Sequence, residues 1–265
     1  MGWTWRIRLK MLLAVCAVSV IPSAGYADCS AKSPDYTLAL VELYTSEGCD
    51  SCPPADRWFS KLANGPSETR AVALAFHVDY WDRLGWRDRF GNAAFTARQY
   101  EEVQRQHAGF AYTPQVVVQG RDFPQWRAPA QPEAAIAAAN ARPARAAIEL
   151  TVRGQDAGTR TANVDVDVRV PDRRDRANAL VNVALVQSSL ASDVAAGENA
   201  GKHLAHDHVV RQWREGFKLD ANGEVHQRIS LALPPETGPL AIVAFAEHAG
   251  TGEVLQALSL ALCAP

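Results

Sequence analysis

The chain has 265 residues, 48% of them hydrophobic, and 27 Lys and Arg against 29 Asp and Glu give a formal charge of −2. That length and apolar content suffice for two ordinary domains with proper cores. The slightly negative balance excludes the basic field that nucleic acid or an acidic lipid surface requires.

Residues 1–27 read as a signal peptide. Arg6, Arg8 and Lys10 form a positive region, Met11 to Ile21 an apolar run of 11 residues, and Gly25-Tyr26-Ala27 ends in the small residue a signal peptidase accepts. Cleavage after Ala27 is expected, leaving a mature chain that starts at Asp28 in the periplasm or outside the cell. The apolar run is shorter than the roughly 20 residues that span a bilayer, so no membrane insertion is expected after cleavage. Loss of the leader removes three positive and no negative charges, which takes the charge from −2 to −5. It also removes Cys16 and leaves Cys29, Cys49, Cys52 and Cys263, an even set that permits full pairing in an exported chain. A bond between Cys29 and Cys263 would staple the two ends, with an entropic gain of about 5 kcal/mol in the long-loop picture. The alternative is two free, partly buried thiols.

An apolar run at 38–44 has the length of a buried strand, and 55–62 reads as a helix. Between them lies Thr45-Ser46-Glu47-Gly48-Cys49-Asp50-Ser51-Cys52-Pro53-Pro54. A Cys-x-x-Cys where a strand turns into a helix suits dithiol/disulfide exchange, with one sulfur near the helix amides and the other placed to resolve a mixed disulfide. The same spacing is half of many zinc sites, but no second Cys-x-x-Cys is present. Further on come a strand at 71–78, a polar helix around 92–107, and Tyr112-Thr113-Pro114 leading into the strand Gln115-Val116-Val117-Val118-Gln119. A proline at the mouth of a strand favours an edge, a strand start or a cis bond.

With these features residues 36–142 resemble the thioredoxin superfamily, in which a cis-proline, often preceded by Thr, faces the Cys pair. The resemblance gives that role to Thr113-Pro114, with Gly120-Arg121 as the next hairpin turn. Phe76-His77-Val78-Asp79-Tyr80-Trp81-Asp82, Gly85-Trp86 and Phe95-Thr96-Ala97-Arg98-Gln99 are similar to a family of secreted bacterial thioredoxin-like proteins of unknown function. The loop departs from the usual thioredoxin pattern, because Asp50-Ser51 stand where Gly-Pro is common. The two prolines after Cys52 fit a helix's first turn and put its start near Ser51. The helix end lowers the Cys49 pKa, while Glu47 and Asp50 oppose the thiolate, so a weak oxidant is expected. Cys49 is expected to be solvent-accessible and Cys52 shielded. Glu42 lies seven residues before Cys49, one more than the buried acid that moves protons for the second cysteine in thioredoxins, and reads either as that acid or as a structural residue, exposed on the strand or paired with a buried Arg.

His77 and Asp79 close the second strand on the side of the Cys pair. His77 reads as an acid/base group, as a third ligand for a soft ion such as Cu(I), or as a hydrogen-bonded structural residue. Tyr80, Trp81 and Trp86 read as walls of the cleft or as packing under a long loop.

A short Ala-rich helix at 134–141 closes the first unit, and Arg142-Pro143-Ala144-Arg145 reads as the linker. Beyond it the period becomes two: Ile148, Leu150 and Val152, then Val164, Val166, Val168 and Val170, alternate with polar residues. Further strands are expected at 180–187, 204–217, 224–233, 240–248 and 254–262. The expected architecture is therefore an α/β thioredoxin-like domain over 28–142 followed by an all-β sandwich-like domain over 147–265. In the latter, His206 and His208 are expected on one face of a strand, a ligand-compatible spacing, or in a hairpin held by polar side chains.

The leading expectation is thiol-disulfide exchange with a protein dithiol or disulfide partner: Cys49 as nucleophile, Cys52 as resolving thiol, Pro114 shaping the groove, and Thr113, His77 and Trp81 lining it. No organic cofactor is implied. The alternative is a non-catalytic module, either handling Cu(I) through Cys49, Cys52 and His77 or holding the Cys pair as a static disulfide.

Overall fold

A computed structural model describes residues 1–3, 29–65, 71–156 and 158–263 of the protein. The expected signal peptide lies, apart from its first three residues, outside the described residues. The strand that carries the Cys loop, β2 (Ala39–Thr45), is buried along its whole length. Both of its faces are covered, which is why its apolar residues run on without alternation. β3 (Ala71–His77) pairs with it in parallel from Ala39↔Ala71 to Thr45↔His77. β4 (Gln115–Val118) pairs antiparallel on its other side and turns back through β5 (Arg121–Asp122). On one face, α1 (Pro53–Ala63) and α3 (Gln131–Asn140) pack Phe59 and Ile136 against Val41 and Leu43. On the other, α2 (Ala93–Arg105) sets Phe95 among Leu40, Tyr44, Leu74 and Phe76. The Asn92 side chain caps α2 by accepting from the Ala94 amide.

The second half builds a four-stranded sheet from β6 (Ala147–Asp156), β7 (Thr161–Arg169) and β12 (Glu224–Ala232), with β1 (Cys29–Lys32) on its edge. Residues 29–32 thus pair with β6 and not with the Cys-loop strand that follows them. The inward residues Ile148, Leu150, Val152, Val164, Val166 and Val168 share a core with Val181, Val183, Leu185, Ile242 and Ala244. Those partners lie on β8 (Ala179–Gln187) and β13 (Leu240–His248), which with β14 (Val254–Ala261) belong to the larger sheet. Cys29 and Cys263 form a disulfide.

The strand expected over 204–217 is two strands. His208 takes a left-handed φ of 54°, which breaks the run into β10 (His203–His206) and β11 (Val209–Lys218). His206 and His208 therefore do not share a strand face. β11 pairs antiparallel with β8 and, at Val209↔Ala75, parallel with β3. The larger sheet is consequently continuous from one half of the chain to the other, in the order β14-β13-β8-β11-β3-β2-β4-β5. β9 (Leu190–Asp193) and β10 form a separate two-stranded hairpin outside both sheets.

Candidate functional site

The Cys loop leaves β2 at Thr45 and is closed by its own backbone: Cys49 N donates to Ser46 O at 3.2 Å and Cys52 N to Cys49 O at 3.2 Å. Cys49 and Cys52 are joined as a disulfide. Cys52, one residue beyond the expected Ser51, caps α1, and Pro53 and Pro54 occupy the first turn, where a missing amide proton breaks no hydrogen bond. The Thr113–Pro114 peptide bond is cis. Tyr44 pairs with Gln115, so the next residue pair in that register sets Pro114 beside Thr45, where the Cys loop departs. Trp81 joins the two segments. Its Nε1 donates to Thr113 Oγ1 at 2.8 Å, and its Cβ lies so near Gly48 that a methyl group there would meet it at 3.0 Å. Trp81 thus links the Thr113–Pro114 segment to the Cys loop at Gly48.

Cys49 was expected to be open to solvent, yet both Cys49 and Cys52 are 0% exposed. A cover over the backbone of the loop comes from residues about 150 positions later. Asn199 Nδ2 donates to Glu47 O at 2.8 Å and to Cys49 O at 2.9 Å, and Asp50 N donates to Glu198 Oε2 at 3.3 Å. Lys202 Nζ donates to Asn199 Oδ1 at 2.7 Å, which turns the Asn199 amino group toward the Cys loop. Gly197, at φ +74°, sits against Trp86, where a Cβ would come within 3.1 Å of the Trp86 Cβ. Of this segment only His206 and His208 stand out in the sequence, and nothing local encodes where it docks.

Beside the loop lies a buried polar cluster of Glu47, Asp56, His77, Asp88 and His206. His77 Nδ1 and Asp88 Oδ2 are 2.7 Å apart, and Asp88 also accepts from the amides of Glu47 and Phe90, each at 2.9 Å. Burial raises the Asp88 pKa, but attraction to His77 and these three hydrogen bonds outweigh it and bring the value down to about 2. Burial likewise works against protonated His77, yet Asp88, Asp56 and Glu47 together raise its pKa. For Asp56, burial prevails and raises the pKa despite His206, His77 and a 2.7 Å hydrogen bond from Thr45 Oγ1. Glu47 is held below the ordinary range: burial disfavours its charge, but His206 at 3.4 Å and a 2.8 Å hydrogen bond from Trp86 Nε1 favour it. The rings of His77 and His206 meet edge to face at 4.8 Å. His206 therefore belongs to the cover and to this cluster, not to a pair with His208. Asp79, by contrast, accepts from Thr96 Oγ1 on α2.

Glu42 is the partner of a buried Arg, one of the states expected of it. Arg98 Nη2 donates to Glu42 Oε1 at 2.7 Å, with Glu247 at 3.3 Å beyond it. Among the described residues, no group of three or more His, Cys, Asp or Glu side chains is arranged to hold a metal ion, and no helix is long and apolar enough to cross a membrane.

Residues 40–246 match the family model described as protein of unknown function (DUF1223). A crystal structure of protein AGR_C_4864 from Agrobacterium tumefaciens is similar over 86% of this chain and 96% of its own, with 23% identity and a TM-score of 0.59. HBP35 of Porphyromonas gingivalis is similar over 87% of this chain and 76% of its own, with 14% identity and a TM-score of 0.63. At these identities the likeness is one of fold. No curated protein matches the chain.

Proposed function

The chain belongs to the DUF1223 family of proteins of unknown function, and from that premise we propose that it carries out thiol-disulfide exchange with a protein dithiol or disulfide partner in the periplasm or outside the cell. The reading takes residues 28–142 as a thioredoxin-like unit and 147–265 as its β-sandwich-like companion. One observation carries it: the Cys49–Cys52 disulfide stands at the start of α1, and Trp81 ties its loop to the cis Thr113–Pro114 segment. The two disulfides support an oxidising compartment.

In the exchange a partner thiolate attacks Cys49 Sγ, a new S–S bond forms, and the Cys49–Cys52 bond breaks. Cys52 departs as thiolate and takes up a proton. The partner's second thiol, once deprotonated, attacks its own sulfur in the mixed disulfide and releases Cys49 as thiolate, which is protonated in turn. The partner dithiol is oxidised to a disulfide and the Cys pair is reduced; the reverse direction retraces the same steps. The reading requires no organic cofactor.

Trapping tests it. Cys52→Ser removes the resolving thiol and should accumulate Cys49-linked partners, seen as reductant-sensitive bands on non-reducing gels, whereas Cys49→Ser should accumulate none. Equal trapping by both variants, or none at pH 8.5, near the free-thiol pKa of about 8.5, would sink the reading. The full burial of both sulfurs favours a second one, a non-catalytic module with a static disulfide, which the absence of trapping would support. Its Cu(I)-handling form requires the reduced pair together with His77, and a Cu(I) titration of the reduced protein tests that form.

A further inference from the structure

A disulfide exchanges only when a thiolate can approach one sulfur along the S–S axis, and here neither sulfur has exposed surface. Against the loop that carries them lies the β9–β10 hairpin, residues 190–206, which pairs with neither large sheet and is hydrogen-bonded to Glu47, Cys49 and Asp50. Its base is held by apolar packing, Leu190 against Phe90 and Val209, and by Arg89, which donates to Ser192 Oγ at 3.1 Å and to Ala191 O at 2.8 Å. Its hydrogen bonds and ion pair to the Cys loop are Asn199 on the carbonyls of Glu47 and Cys49, Glu198 on the Asp50 amide, and His206 beside Glu47, flanked by packing of Gly197 on Trp86 and of the His206 ring on His77 and Phe90. An apolar hold would find no substitute in water when the hairpin lifts, whereas water or a partner's polar groups can take over hydrogen bonds of this kind.

We propose that hairpin 190–206 is a displaceable cover latched by Asn199, and that the Cys49–Cys52 pair reacts only from the minor state in which the cover has lifted. The proposal rests on the exchange reading above and adds what the partner must bring. Displacing the latch uncovers two carbonyls and one amide of residues 47–50. A partner polypeptide that lies along this segment with its own backbone amides and carbonyls restores all three hydrogen bonds, whereas a small thiol restores none. The cover thus selects chain-like disulfide partners over low-molecular-weight thiols.

The test measures reduction of Cys49–Cys52 by a small phosphine, followed by maleimide tagging and peptide mapping to separate this bond from Cys29–Cys263. Asn199→Asp keeps the size of the side chain and its contact with Lys202 but donates nothing to the two carbonyls; Asn199→Ala removes the side chain. Both should be reduced faster than wild type by about tenfold or more, the effect of removing two hydrogen bonds on the open population. Wild type itself, without substitution, should be reduced more slowly than a short peptide carrying Cys49 to Cys52 as a disulfide. It should also protect the Asp50 amide from hydrogen exchange to a matching degree. Equal rates for wild type and both variants, or a wild-type rate equal to that of the peptide, would overturn the cover. Faster reduction of Asn199→Asp combined with no partner trapping in Cys52→Ser would uphold the cover and overturn the exchange reading, so the two failures are separable.

Discussion

His77 and Asp88 are joined through Nδ1 and Oδ2 at 2.7 Å, and neither side chain has any exposed surface. Their pKa values move apart, His77 upward and Asp88 down to about 2. The Asp88 contribution to stability is fully present above its ordinary 3.8 and is lost as pH falls toward 2. The His77 contribution is fully present below its ordinary 6.5 and is lost as pH rises through the higher folded value. The pair should therefore stabilise most between about pH 4 and 6.5. Asp88→Asn, which leaves His77 buried without its counter-charge, should cost about 3 kcal/mol in that window and less at higher pH. Urea unfolding at pH 5.5 and pH 9 checks this; an equal loss at both would contradict it.

Glu102 should act in the opposite sense to Asp88. Burial and the repulsion of Glu42 and Glu247 outweigh Arg98 and Arg105 and raise its pKa from 4.5 to about 7. A raised carboxyl pKa means that the folded state holds a proton the unfolded state has released, so stability falls as pH climbs from about 4.5 through 7. This group should contribute a decline of about 2–3 kcal/mol. Glu102→Gln should flatten that part of the stability curve between pH 5 and 8. A decline of unchanged size in the variant would rule the assignment out.

Gly120 is a packing requirement where the turn after β4 meets the turn between β13 and β14. It takes φ +73°, and a methyl group there would run into the carbonyl of Gly252. Gly120→Ala should therefore destabilise the protein by about 3 kcal/mol, combining left-handed backbone strain with a backbone clash. Thermal unfolding measures it, and a change below about 1 kcal/mol, the range of left-handed strain alone, would mean that the two turns part easily.

Local signals made much of this molecule legible. Apolar runs marked β2 and β3, the prolines after Cys52 marked a helix start, and alternating apolar residues marked β6 and β7. Long-range pairing left no such trace. The Val209↔Ala75 contact joins residues 134 positions apart through one parallel pair, and nothing in either segment encodes the other. The break at Asp207-His208 was hidden because residues 204–217 keep the polar and apolar mixture of one long strand, and only the left-handed φ of His208 divides it. Burial of Cys49 has no local signal for a similar reason: helix-start chemistry places the residue, while its carbonyl is bound by Asn199, about 150 residues away. Asp56 and Asp88 look in sequence like ordinary solvated acids, and their role in the buried cluster follows from their pairing with Thr45 and His77 at the ends of β2 and β3.

The Cys29–Cys263 bond closes residues 29–263 into a covalent ring. A ring has no privileged starting point, so the order in which its strands are synthesised and the order in which they are held together become separate properties. Fusing residue 263 back to residue 29 and opening the chain at the turn of Asp220, Asn222 and Gly223, between β11 and β12, would give a circular permutant with the same neighbours throughout both sheets. In it, the Asn199 segment would be translated after the Cys loop as before, but on a chain whose ends lie far from either cysteine pair.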